Sequence, residues 1–254
     1  MAVTPINLSV TNITSTSVRL NWVQWTPLQG AVEAWYDPSD LSTLFQDDAG
    51  TTPVTTNGDP VGLMQDKSGN GNDASESVSA NRPSYPGLAY DGVDDELRIT
   101  VGLGSTDFII STVIGTQGLT GRRPSVFGFG SFNNTSEEML LYANTNFGTA
   151  SDEMRLFGLG TEILIGPDIR NTGDIVVTVV RENNTFSLYI NGTFFSSGSA
   201  SGSVSSTGRI GNWPDIVRHY NGNKIGGMVI AKTSSAPTRL KIENYLAGEA
   251  GIAL

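Results

Sequence analysis

Residues 66–72, Asp-Lys-Ser-Gly-Asn-Gly-Asn, carry the most ligand-like spacing in the chain. Asp66, Ser68 and Asn70 alternate, and Gly71 follows where a loop would turn. Hard oxygen donors in such a loop suit Ca²⁺. An EF-hand would need a bidentate Glu at the twelfth position, where Ser77 stands with Glu76 one place early, so this is not an EF-hand. The alternative is an Asx-turn that needs no ion. A second acidic group lies in Asp91-Gly-Val-Asp-Asp-Glu96. Gly92 suits a turn that a Cβ would strain. Asp91, Asp94 and Asp95 can accept backbone N–H groups around it.

Catalytic constellations are sparse. Asp94 and Glu96 form the acidic pair separated by one residue, and they fall in the turn block. A Ser–His–Asp triad would have to use His219, the single histidine, and no nucleophile elbow accompanies it. Neither a phosphate-cradling glycine loop nor a dinucleotide fingerprint is present. The chain has no Cys, which removes disulfide scaffolds, thiolate metal sites and cysteine nucleophiles. Asn212, Trp213 and Tyr220 share one loop-rich segment where aromatic rings could stack on a sugar. Packing within the fold is the competing reading for Trp213.

These residues need a scaffold, and the composition says which kind. The 254 residues include 30 Gly, 38% hydrophobic and only 16% charged residues. A chain this long can bury roughly 70–75% of its unfolded surface, so it needs no metal or disulfide to fold. Net charge is −10, with four Lys and eleven Arg and no basic run beyond Arg122-Arg123. Nucleic acid and anionic membranes are therefore disfavoured partners. No apolar run reaches the length of a membrane helix, and the first residues lack the charged and apolar regions of a signal peptide.

Period-2 alternation with Asn-Gly, Asp-Gly and Gly-Gly turn signals predicts an all-β sandwich of two antiparallel sheets. Strands are expected near 108–115, 125–129, 139–142, 154–159, 162–165, 175–181, 186–190, 193–197, 209–210 and 224–231, with a strand, turn and strand over 88–97. Asn191-Gly192 reads as a type I′ hairpin turn. Pro38-Ser39-Asp40 predicts an N-cap with one or two helical turns after it. Pro237 to Gly251 reads as a short amphipathic helix, with Ile242, Tyr245, Leu246 and Glu249 on one side. Residues 1–29 read as an N-terminal β-hairpin arm, with Val18, Leu20 and Trp22 as an apolar stripe. That stripe packs on the chain's own sandwich or serves as an attachment arm. Residues 30–254 form the main domain.

"NLSVTNITSTSVRLNW" resembles the opening strands of a fibronectin type III domain. From about residue 31 the chain resembles the laminin-G-like, concanavalin A-like lectin/glucanase jelly roll. The blocks that carry this are "DKSGNGN", "LAYDGVDDEL", "FSLYINGTFF", "RIGN" and "NKIGGMVIAKTSSAPTRLKIENYLAGEAGI". The subtype, opening "AWYDPSDLSTLFQDDAGTTPV", is similar to domains of bacteriophage virion proteins. The resemblance implies sheets of about six or seven strands. It also implies a rim calcium site for which Asp66, Asn70 and Asp91 are the candidates. Glucanases of the superfamily carry a Glu-x-Asp-x-x-Glu run that is missing here, so the expectation is a non-catalytic protein. The expected setting is a virion surface, as capsid decoration, head fibre or tail-fibre component. The expected partners are capsid or tail proteins, copies of itself and a host-surface glycan bound near Asn212, Trp213 and Tyr220. The alternative is a bacterial carbohydrate-binding module or lectin without a virion role, with an unusual glycosidase as a third class.

Overall fold

A computed structural model describes residues 8–14, 17–22, 24–119, 124–131, 137–145, 152–169, 172–212, 220–221 and 224–254. The strands in chain order are β1 (Leu8–Thr14), β2 (Ser17–Trp22), β3 (Ala34–Tyr36), β4 (Leu44–Phe45), β5 (Leu63–Met64), β6 (Ala74–Ser75), β7 (Leu97–Thr100) and β8 (Phe108–Gly115). They continue as β9 (Ser125–Phe129), β10 (Met139–Thr145), β11 (Asp152–Gly158), β12 (Thr161–Asp168), β13 (Asp174–Glu182), β14 (Thr185–Ile190), β15 (Thr193–Ser199), β16 (Thr207–Ile210) and β17 (Lys224–Ala231). One helix, α1 (Ala236–Ala250), follows them. One sheet has the order β12-β11-β10-β9-β16-β7-β6-β5-β4, the other β15-β14-β13-β8-β17-β3. Neighbours in both are antiparallel. The first sheet reaches nine strands, beyond the six or seven expected, because the two-residue strands β4 to β6 extend it.

The all-β sandwich of two antiparallel sheets is thus the observed architecture. Every residue of β8 is buried, because both faces of its sheet are covered. Phe108, Ile110 and Ile114 join the main core between the sheets. Ile109 and Val113 face outward into a second cluster with Ile242, Tyr245 and Leu246 of α1. The same division splits β13, with Ile175, Val177 and Val179 inward and Val176 and Val180 outward. A strand covered on both faces reads as a continuous apolar run rather than an alternating one. The buried side of α1 also carries Arg239 and Glu243, paired with each other, and the Arg239 guanidinium stacks over the Tyr189 ring.

Asn191 and Gly192 take positive φ, 46° and 75°, between β14 and β15, as the hairpin turn requires. The helical turns expected after Asp40 are a single 3-10 turn, Leu41–Thr43, capped by the Asp40 side chain. Residues 88–90 form no strand: only Ala89 bridges to Ser84, and Leu88 has a φ of 51°. The Gly226-Gly227 pair is not a turn. It lies inside β17 as a bulge, where three steps from Ile225 to Met228 match two from Ile114 to Thr112 on β8.

β1 and β2 form a separate two-stranded sheet, hydrogen-bonded to neither larger sheet among the described residues. Its register sets Leu8 opposite Trp22, Val10 opposite Leu20 and Ile13 opposite Val18. Trp25 and Pro27 are buried, and Trp25 belongs to the cluster under α1, edge-on to Tyr245 at 6.4 Å.

Candidate functional site

The 66–72 loop serves a strand edge. β3 is the last strand of its sheet, so its outer N–H and C=O groups face no further strand. Asp66 Oδ1 accepts the Trp35 N–H at 2.9 Å, and the Lys67 N–H donates to the Trp35 carbonyl at 2.8 Å. The Glu33 carbonyl accepts from the Ser68 hydroxyl and the Asn70 and Asn72 amides. Asn70 also donates to the Val32 carbonyl at 2.9 Å. Loop side chains therefore do for β3 what a neighbouring strand would do.

That arrangement decides the calcium fit. Asp66 Oδ1 also accepts the Ser68 N–H, and Oδ2 accepts the Ser68 hydroxyl and the Asn72 N–H. Four donors fill the roughly four lone-pair positions of a carboxylate. Asn70 turns its amide nitrogen, a donor, toward the loop's acceptors. Asp66 and Asn70 do not fit an ion, and the loop is the Asx-turn alternative. Asp91 stands in another constellation: its carboxylate oxygens and those of Asp94 and Asp95 lie within 4.8 Å of one another. Asp91 caps its own turn by accepting the Val93 N–H, and Asp95 accepts the Asp91 N–H. Burial pushes the Asp95 carboxyl up to about 7. The Asp91 N–H works against this, and the Asp91 and Asp94 charges add to it.

The expected sugar platform at 212–220 is corrected for two of its three residues. Tyr220 is fully buried, edge-on to Tyr90, and its hydroxyl donates to the Gly115 carbonyl. Asn212 is buried and donates to Glu96 Oε2 at 2.6 Å. Neither offers a face to a ligand. Trp213 and His219 lie outside the described residues. Glu96 is buried as well, with Arg98 at 3.0 Å on one oxygen and Arg209 at 2.7 Å on the other. Burial opposes its ionisation, yet Asn212, Arg209 and Arg98 together hold its carboxyl below the usual range.

A cavity of about 280 Å³ opens instead on the outer face of the six-stranded sheet. Its walls come from β3 and the following turn (Trp35 to Ser39), the segment Tyr85-Pro86-Gly87, and the C-terminal half of α1 (Tyr245, Leu246, Glu249, Ala250). Val113 and the bulge glycines Gly226 and Gly227 close the cavity, with Lys224 beside them. Strand alternation sets the wall: Ala34 and Tyr36 turn into the main core, and Trp35 turns outward to the helix. Trp35 meets Tyr245 edge-on at 5.7 Å, and Lys67 Nζ sits 4.4 Å from the Trp35 ring centroid on its way to Asp37 and Asp40. The Trp35 indole N–H is buried without a well-formed hydrogen bond, beside the Tyr245 hydroxyl. Burial, with the Asp37 and Glu249 charges added, pushes that hydroxyl well above its ordinary value, so it stays a neutral O–H donor. Tyr85 is the more open ring of the wall.

The cavity lay beyond sequence reasoning because its residues are scattered from 35 to 250. Tyr245 reads from the sequence as part of the helix's apolar side, and Trp35 carries no local signal of a site. Gly226-Gly227 inside a strand was the one local signal, since glycine there marks a bulge or a close approach.

No protein-family model and no curated protein matches the sequence. Solved structures match the fold. Trypanosoma rangeli sialidase superposes with a TM-score of 0.62 at 12% identity, over 94% of this chain and 35% of that one. The same sialidase in complex with sialic acid gives 0.61 at 11% identity, over 96% and 36%. The binding domain of Paraclostridial Mosquitocidal Protein 1 gives 0.50 at 13% identity, over 73% and 50%. The chain spans about a third of the length of the sialidase chains it matches. At these identities the likeness establishes the jelly-roll β-sandwich.

Proposed function

We propose that this chain is a non-catalytic glycan-binding β-sandwich whose ligand occupies the cavity between β3, β17, the 85–87 segment and α1. The observation that carries the reading is the cavity's chemistry. An aromatic wall of Trp35, Tyr85 and Tyr245 stands beside polar groups on Asp37, Lys224 and Glu249. Sugar rings present apolar C–H faces and a rim of hydroxyls, and such a wall with a few placed polar groups suits them. The volume, about 280 Å³, suits one small ring rather than a long chain in the cavity. The non-catalytic part of the reading is supported by Glu96, which is buried and held by two arginines. The phage-type blocks named above support display on a virion surface, with capsid or tail proteins as neighbours and a host glycan as target.

A glycan array probed with the native chain and with Tyr85→Ala tests the binding site. Tyr85 is half-buried and packs in part against the main core, so its loss should abolish glycan capture while lowering the melting temperature only modestly, with unfolding still cooperative. Capture of no glycan, or capture indifferent to Tyr85→Ala, overturns the site. Release of reducing ends from a captured glycan, abolished by Glu96→Gln, would overturn the non-catalytic reading. Immuno-electron microscopy of purified particles tests the virion setting, and unlabelled particles count against it.

A further inference from the structure

The charges around the cavity are unequally engaged. Asp37 is tied to Lys67 at 2.8 Å and to the Ser39 hydroxyl and N–H. Lys67 is in turn shared with Asp40 at 2.8 Å. Lys224, the cation in the cavity wall, is tied to Asp174 at 2.6 Å. Glu249 lines the cavity from the last turn of α1, is exposed, and pairs with no cation among the described residues. Both cations are thus already neutralised by carboxylates, and Glu249 is left without a cation among the described residues. The chain as a whole adds a net charge of −10.

From this we infer that the cavity selects uncharged or amine-bearing sugars and rejects carboxylated ones, with Glu249 as the specificity-determining residue. The inference rests on the glycan reading of the same cavity. The physical reason is that like charges brought together as water is displaced repel, and among the described residues no free guanidinium or ammonium lines the cavity to receive an acid. A carboxylated sugar would have to draw Lys224 from Asp174 or face Glu249 directly. A neutral ring meets the Tyr245 hydroxyl and the aromatic wall without that penalty, and a protonated amine gains an attraction to Glu249.

Titration calorimetry with the full chain separates the outcomes. The probes are methyl glycosides of glucose, glucosamine, glucuronic acid and N-acetylneuraminic acid. The native chain should bind the first two and discriminate against the acids. Glu249→Gln should narrow the gap by roughly two- to fivefold, the range for an exposed charge pair, and Glu249→Lys should narrow it further. The effect should shrink at high salt, because the rim is solvated. Circular dichroism melting of each variant confirms the fold, since Glu249 makes no contact the helix needs. Binding of the acids as tightly as glucose by the native chain overturns the inference and leaves the glycan reading standing. Discrimination that neither Glu249 variant alters removes Glu249 from the role. Binding of no sugar by any chain overturns the glycan reading and this inference with it.

Discussion

At the scale of single residues, Asp66, expected as a calcium ligand, has another task. Asp66 collects the N–H groups of Trp35, Ser68 and Asn72 and the Ser68 hydroxyl, and so ties the edge strand β3 to its loop. Asp66→Ala leaves those donors unmatched, and hydrogen bonds to charged groups contribute about 1.5–3 kcal/mol each. Asp66→Ala should therefore lower stability by on the order of 3 kcal/mol, by the same amount in calcium and in chelator, as followed by denaturant melts. A loss confined to calcium-containing buffer would return the ion to the loop. Asp95 works in the other direction. Burial raises its folded value to about 7, against about 3.9 for a free Asp. Between those values the folded chain holds a proton that the unfolded chain has released, so stability falls as pH rises from about 4 toward 7. Asp95→Asn keeps an oxygen for the Asp91 N–H and removes the charge. Its melting temperature relative to the native chain should accordingly rise more at pH 7.5 than at pH 5, and an equal offset at both would refute the account.

At the scale of elements, the β17 bulge shapes the cavity. A Cβ on Gly226 would stand 2.9 Å from Val113 Cβ, on a stiff β-branched side chain held in the middle of β8. A Cβ on Gly227 would meet the flexible tip of Leu246 at 3.0 Å. Gly226→Ala should thus cost about 1–3 kcal/mol, typical of overpacking. Gly227→Ala should cost less, because Leu246 can give way into the cavity and narrow it. Thermal melts should rank the two in that order, and the reverse ranking would mean that the bulge relaxes in place. The same strand shows what the amino-acid sequence discloses and what it withholds. The bounds Phe108–Gly115 and Lys224–Ala231 were legible because stretches rich in apolar and β-branched residues are flanked by turn-forming residues. The role of Gly226-Gly227 was not, since a glycine pair signals a turn as readily as a bulge until a partner strand supplies the register. Residues 88–90 misled for a related reason. Their apolar run suits a strand, yet Leu88 takes a left-handed φ, and Ser84 and Ala89 bond each other across a tight loop. The cavity draws on β3, β17, α1 and a loop that only tertiary packing brings together, and beyond that glycine pair no local pattern points to it.

At the scale of the whole molecule, the question is which part of the N-terminal segment the sandwich needs. β1 and β2 pair only with each other among the described residues, and a lone two-stranded hairpin is marginal in water. Their register makes cross-strand partners of Leu8 and Trp22, Val10 and Leu20, and Ile13 and Val18, which sets the stripe positions Val18, Leu20 and Trp22 opposite further apolar residues. Trp25 is different. It is 8% exposed, packs beside Tyr245, and shares the cluster that seats α1 on the six-stranded sheet. Removing residues 1–22 should therefore leave the sandwich cooperatively folded, with a melting temperature close to the native one. Removing residues 1–29 also takes Trp25, and loss of a buried Trp costs about 3–5 kcal/mol. For a domain of this size that corresponds to a drop of roughly 6–20 °C. The two truncations, followed by calorimetry, separate a scaffold role from an attachment role. If the shorter deletion stays folded but no longer joins particles or oligomers in sedimentation, the hairpin is the anchor and its apolar stripe meets a neighbouring chain. If the shorter deletion already melts as low as the longer one, that stripe belongs to the sandwich, and attachment must be sought on the jelly roll itself.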